Sequence, residues 1–174
     1  GAGKTTLLRT LLTDPPSNLE VGVILNTGLG PDELLLAVAR DLQVETPQGA
    51  LRQVVVAAIE EKLMATFSAG KSTVIFIDEA QHLSDESLEL LRMLSNIETE
   101  SDKLVQIALF GQVELKERLG RPELRQLRSR VAVHRHLEPL SAQETANYVR
   151  HRLAQAGSTN PVLFESAALT ALHR

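Results

Sequence analysis

Four short runs rich in β-branched residues, "VGVILN" (Val21–Asn26), "STVIFID" (Ser72–Asp78), "LVQIALFG" (Leu104–Gly111) and "VAVHRHL" (Val131–Leu137), are separated by longer stretches of helical spacing. Branched side chains suit a pleated, half-buried surface, so these runs read as strands. A helix between two strands returns the chain to the end at which it started, which makes neighbouring strands parallel. The expected fold is therefore α/β, a mostly parallel sheet covered by helices on both faces. "VIFI" is apolar at every position and predicts a central strand buried on both sides.

The helical stretches carry their own start signals. "PDELLLAVARDL" opens on Pro31, which a first turn accepts, followed by Asp32 and Glu33 at the positive end of the helix dipole. "ALRQVVVAAIEEKLMATF" (Ala50–Phe67) and "SDESLELLRMLSNI" (Ser84–Ile97) follow, the second with Ser84 as N-cap. After Leu140 the strand pattern stops. "SAQETANYVRHRLAQAG" reads as a helix with Ser141 and Glu144 as a capping box and Gly157 as C-cap, and "LFESAALTALHR" starts another. Residues 1–140 are thus expected to form the core and residues 141–174 a small helical lobe.

Composition excludes several classes. The 174 residues contain no cysteine, so disulfides and thiolate metal sites are ruled out, in keeping with a reducing compartment. A net charge of −4 argues against a general nucleic-acid binder, and 3% aromatic residues without tryptophan offer no stacking platform for single strands. No stretch reaches the roughly 18 apolar residues of a membrane span. The five histidines (His82, His134, His136, His151 and His173) show no metal-ligand spacing with nearby carboxylates.

The chemistry-bearing residues cluster at strand ends. "GAGKTTLLRTLL" at the front supplies Gly3, Lys4 and Thr5, the last three positions of G-x-x-x-x-G-K-[ST], and then a helix from Thr6 to Leu12. The first glycine of that pattern and the strand that carries it would precede Gly1, so the chain reads as a fragment cut or disordered at its front. Alone, "GKTT" is a weak signal whose other reading is a glycine turn before an amphipathic helix. Its functional reading has the loop amides and helix N-terminus holding phosphate oxygens, Lys4 reaching the outer phosphates and the Thr5 hydroxyl binding Mg²⁺.

"VIFIDEAQ" discriminates between the two. A buried strand ending in Asp78–Glu79 puts two carboxylates at the carboxyl edge of the sheet, where open α/β sheets bind ligands. Asp78 can hold the hydration shell of magnesium, and Glu79 can polarise an attacking water. "LFGQ" brings Gln112 to the same edge, where it can sense the γ-phosphate or orient the water, or simply cap a helix. "GRPELRQLRSRVAV" carries Arg121, Arg125, Arg128 and Arg130. These can form a solvated face, a nucleic-acid patch, or an arginine finger projected into a neighbouring subunit; Arg130 is the preferred finger and Arg128 the second.

"GAGKTT", "ILN", "FIDEAQHLSDESLELLRMLSNIETE", "LVQIALFGQVELKERLGRPELRQLRSRV" and "HLEPLSAQETANYVRHRLAQAG" together resemble the ExeA-type, general secretion pathway protein A branch of the AAA+ ATPases, over Gly1 to Arg174. That group includes ATPases of type II secretion and of mannose-sensitive pilus biogenesis, with transposition helper ATPases more distant. The resemblance implies a P-loop AAA+ sheet flanked by helices and the start of a C-terminal helical lid. It implies an ATP- and Mg²⁺-dependent hydrolase, with Gly1, Ala2, Gly3, Lys4, Thr5 and Thr6 around the nucleotide and Thr5 and Asp78 on the metal. Glu79, Gln112 (the sensor 1 position) and Arg130 (the finger) would be catalytic. It further implies a homo-oligomeric ring, partners in secretion or pilus assembly, and a place in the cytoplasm or on the cytoplasmic side of the inner membrane. The sensor 2 arginine, the membrane span and the peptidoglycan-binding domain that relatives carry further on are not among these residues. A DNA-associated transposition helper is the alternative expectation.

Overall fold

The computed structural model describes residues 3–25, 27–158 and 164–173. Helix α1 (Lys4–Thr13) leads to strand β1 (Leu19–Ile24), then α2 (Pro31–Asp41), α3 (Arg52–Ser68) and β2 (Ser72–Ile77). A 3-10 turn (Ala80–His82), α4 (Asp85–Leu94), β3 (Val105–Leu109) and α5 (Val113–Leu119) follow, then a second 3-10 turn (Pro122–Leu124) and a short α6 (Arg125–Arg128). Helices α7 (Ala142–Gln155) and α8 (Ser166–His173) end the chain. The chain divides into two compact units, one of residues 4–134 and the other of residues 1–3 and 135–174.

The first three expected strands form one sheet in the order β1-β2-β3, both pairings parallel. Val21 pairs with Val74 and Ile24 with Ile77, while Thr73 pairs with Val105 and Ile77 with Leu109. All three carboxyl ends therefore meet at one edge. The ladder runs past them: Asp78 N–H donates to the Ile24 carbonyl at 2.9 Å, and Phe110 N–H to the Ile77 carbonyl at 2.8 Å. On the open side of β1 the Val23 N–H is taken by the Asp41 carboxylate of α2, which blunts an otherwise unpaired edge.

Helix α2 packs on β1, α3 on β2, and α2 also contacts α3 and α4. Leu34, Leu35 and Val38 of α2, Ile59 and Leu63 of α3, and Leu88 and Leu91 of α4 are buried with Ile75 and Ile77 of β2. The two-sided burial expected for "VIFI" is not observed. Ile75 and Ile77 are fully buried, whereas Val74 and Phe76, which point to the opposite face, are only half-buried. There Phe76 packs against Phe110, with ring centroids 6.0 Å apart. An apolar run thus marks β2 as central without requiring equal cover on its two faces.

The fourth expected strand is also corrected. Residues 131–140 carry no regular secondary structure, and Val131 and Val133 are 41% and 71% exposed. Backbone groups of an extended segment need a neighbouring strand to satisfy them, and among the described residues the sheet ends at β3. The C-terminal unit keeps its expected signals: Ser141 and Glu144 form a reciprocal capping box on α7, and Gly157 follows the helix with φ 82°.

Candidate functional site

The site is built where α1 begins and where β1, β2 and β3 end. Lys4, the first residue of α1, donates from Nζ to the Gly111 carbonyl at 2.6 Å. Thr5 donates from Oγ1 to Asp78 Oδ2 at 2.9 Å. Residues separated by about a hundred and about seventy positions of sequence are thereby joined. Asp78 is the first residue after β2 and is 5% exposed, so the buried strand fixes its position.

Glu79 sits in the left-handed region, φ 51° and ψ 36°, an uncommon place for a residue with a Cβ. Three contacts hold it there. Its N–H donates to Asp78 Oδ1 at 3.0 Å, and its carbonyl accepts from Thr27 Oγ1 at 2.9 Å. Its Oε2 accepts from Gln81 Nε2 at 2.5 Å. Gln112 Nε2 approaches the same oxygen at 3.4 Å. Donation from Gln81, and then from Gln112, holds the Glu79 carboxyl below the ordinary glutamate range; slight desolvation opposes this, and the positive fields of His82 and Lys4 add to it.

The turn after β3 has to come close. A Cβ on Gly111 would lie 2.6 Å from Leu115 Cδ2 and 3.3 Å from Gln81 Oε1, so any larger residue would force the Leu115 side chain to shift. The turn after β2 is fastened to the end of β3 as well: Ala80 N–H donates to the Phe110 carbonyl at 2.8 Å. Arg118 of α5 clamps the turn after β2 by donating to the carbonyls of Gln81 (2.9 Å) and Leu83 (2.7 Å) and pairing with Asp85.

Lys4, Thr5, Asp78, Glu79 and Gln112 thus come together at one edge. Thr6 is exposed on α1, and among the described residues no side-chain hydrogen bond or ion pair joins it to the cluster; Gly1 and Ala2 lie outside the described residues. Gly3 precedes α1 with φ 80°. Arg130 follows α6, exposed, as is Arg128, and among the described residues no hydrogen bond or ion pair joins either side chain to the cluster. Sequence reasoning missed Thr27, Gln81, Gly111 and Arg118. Gln81 and Gly111 stand inside the motifs "DEAQ" and "LFGQ", adjacent to residues that were assigned. Thr27 had only its place just after a strand to mark it, and Arg118 had no signal.

Chemically, the arrangement offers a cation and the positive end of a ten-residue helix beside a hydroxyl–carboxylate pair. Among the described residues no group of three or more His, Cys, Asp or Glu side chains could cage a metal. A Thr5–Asp78 pair instead suits magnesium, which keeps most of its waters and takes few protein ligands.

The model of the AAA domain family matches residues 1–119. General secretion pathway protein A of Aeromonas hydrophila is 43% identical over 174 residues, the whole of this chain and 32% of that protein, so the chain spans about a third of the relative's length. Among solved structures, Cdc6p from Pyrobaculum aerophilum is similar with a TM-score of 0.73 at 20% identity, over 99% of this chain and 45% of that one. The ADP form of the ORC2 protein from Aeropyrum pernix is similar with a TM-score of 0.67 at 15% identity, over 99% of this chain and 47% of that one. These two likenesses concern the fold, a P-loop sheet with flanking helices. The chain belongs to the AAA+ family, in its ExeA-type, general secretion pathway protein A branch.

Proposed function

We propose that this chain is a nucleotide-binding and ATP-hydrolysing domain that powers or regulates assembly of a bacterial envelope secretion or pilus system. The observation that carries the chemical part is the junction at the sheet edge: Thr5 bonded to Asp78 at 2.9 Å, beside Lys4 and Glu79. Lys4 would exchange the Gly111 carbonyl for the outer phosphates of ATP, with Gly3 and the first amides of α1 cradling them. Thr5 and Asp78 would hold Mg²⁺, which when bound neutralises phosphate charge. Glu79 accepts the proton of the attacking water through its carboxylate, and Gln112 stands beside it to orient that water or sense the γ-phosphate.

Exposed Arg130 fits a finger donated to the next subunit, so that the active form is a head-to-tail ring. The division into a core of residues 1–140 and a lid of residues 141–174 belongs to the same reading. No helix among the described residues is long and apolar enough to cross a membrane, and the reading places the chain in the cytoplasm or at the cytoplasmic face of the inner membrane. The net charge of −4 and the secretion-protein relative weigh against the DNA-associated alternative.

The test is a nucleotide titration and a phosphate-release assay on the longest natural chain that contains this sequence. Magnesium-dependent ATP binding with turnover supports the proposal. Absence of ATP binding there removes it.

A further inference from the structure

We propose that Gln81 is a positioning residue that ties the Glu79 carboxylate to the Gly111–Gln112 turn, so that the base and the turn facing Lys4 keep one fixed geometry. The inference rests on the reading of Glu79 as the base for hydrolysis.

The side-chain amide of Gln81 is used at both ends. Its Oε1 accepts from the Gln112 backbone N–H at 3.1 Å, and its Nε2 donates to Glu79 Oε2 at 2.5 Å. These partners fix which end is oxygen: a backbone N–H only donates and a carboxylate only accepts, so the reversed amide would face like with like twice. Nε2 also lies 3.4 Å from His82 Nε2.

Gln81 itself is anchored. Its carbonyl accepts from Arg118, and its neighbour Ala80 is buried and bonded to Phe110. Gln112, the residue the sequence marks for this work, reaches the same carboxylate oxygen only at 3.4 Å. The firmer hold on Glu79 therefore comes from Gln81, and it takes only Oε2. Among the described residues the bonds to the Glu79 carboxylate both reach Oε2.

The geometry also links two events. Lys4 holds the Gly111 carbonyl, and the N–H of that same peptide unit, contributed by Gln112, is held by Gln81. A ligand that draws Lys4 away from Gly111 frees the turn at one end while Gln81 keeps it joined to Glu79. A Cβ at Gly111 would meet Leu115 at 2.6 Å and Gln81 Oε1 at 3.3 Å, so the turn packs directly against both side chains.

The experiment uses the longest natural chain containing this sequence, as wild type, Gln81→Leu and Gln81→Glu, the last of which keeps an acceptor for the Gln112 N–H but no donor for Glu79. Two readouts are taken: amide-hydrogen exchange at Gln112, and kcat of ATP turnover beside nucleotide Kd. Gln81→Leu should speed exchange at Gln112 and lower kcat roughly tenfold to a hundredfold, with Kd changed less than about twofold. Gln81→Glu should keep exchange at Gln112 slow yet lose kcat as Gln81→Leu does. Unchanged exchange at Gln112 in Gln81→Leu overturns the proposal whatever the turnover. Faster exchange with unchanged kcat in an active protein also overturns it. Faster exchange in a protein that releases no phosphate upholds the Gln81 link and removes the hydrolytic reading instead.

Discussion

Glu79 pairs an uncommon backbone with the most demanding chemical role proposed here. A residue with a Cβ in the left-handed region costs about 1–2 kcal/mol, and such strain persists only where surrounding contacts over-determine it. The Asp78, Thr27 and Gln81 bonds to its N–H, carbonyl and carboxylate supply that determination. Glu79→Gln preserves the backbone and an acceptor oxygen, so unfolding stability should change by less than about 1 kcal/mol. ATP affinity should be kept and turnover lost; hydrolysis at the wild-type rate would take Glu79 out of the base role. The carboxyls of Glu79, Glu89 and Glu144 are all held below the ordinary value of 4.5, the first by Gln81, the second by Arg92 and the third by Ser141. A depressed carboxyl stabilises the fold above its unfolded pKa and stops doing so as pH falls through the folded one. For these groups the melting temperature should stay level from pH 7 to about 5 and fall below 4.5. A melting temperature that rose on acidification through that window would contradict the assignment. The convergence of Lys4, Asp78 and Glu79 at one edge was legible from motif spacing, because a helix start and a strand end place them there. The left-handed backbone of Glu79 was not, since one of the three contacts that hold it comes from Thr27, some fifty residues away.

At the scale of elements, the joints between strands and helices matter more than the strands. Three strands were readable because β-branched runs carry their signal locally, and the caps of α4 and α7 because Ser84 and Ser141 stand just ahead of acidic first turns. The segment Val131–Leu137 has the same local signal and forms no strand, which shows that a strand depends on a partner as well as a pattern. Arg118 is the opposite case, an ordinary helical arginine by sequence whose guanidinium fastens the turn after β2. Removing it leaves two carbonyls and Asp85 without their donor. Arg118→Ala should therefore cost about 2–3 kcal/mol in urea unfolding, as hydrogen bonds to charged groups are worth about 1.5–3 each but exposure of Asp85 discounts that pair. Ser84→Ala, which removes one cap from α4 at the same turn, should cost about 1 kcal/mol. Equal effects would mean that the Arg118 clamp contributes no more than a cap. In the Arg118 variant, amide exchange should rise first in residues 80–85, since the clamp closes that turn and not the sheet.

At the scale of the whole molecule, the edge that gathers Lys4, Thr5, Asp78 and Glu79 contains no arginine among its described hydrogen-bond partners, although phosphoryl transfer gains from a cation on the departing charge. Arg130 was legible only as one of several arginines before an expected strand, and its role cannot be read from one chain because its proposed target lies on another. A ring makes that proposal testable by mixing. Arg130→Ala alone should bind ATP as wild type does yet lose turnover by about 10³-fold or more. Glu79→Gln alone should also be inactive, for an independent reason. In mixed rings, a subunit carrying Arg130→Ala keeps its own Glu79 and receives an intact Arg130 from a Glu79→Gln neighbour, so that interface is complete. Activity should return on mixing the two dead variants and reach its maximum near equal amounts, where such interfaces are most frequent. A single chain using its own Arg130 would give no recovery at any ratio, and turnover that remained zero across the titration would place Arg130 outside the neighbour's site.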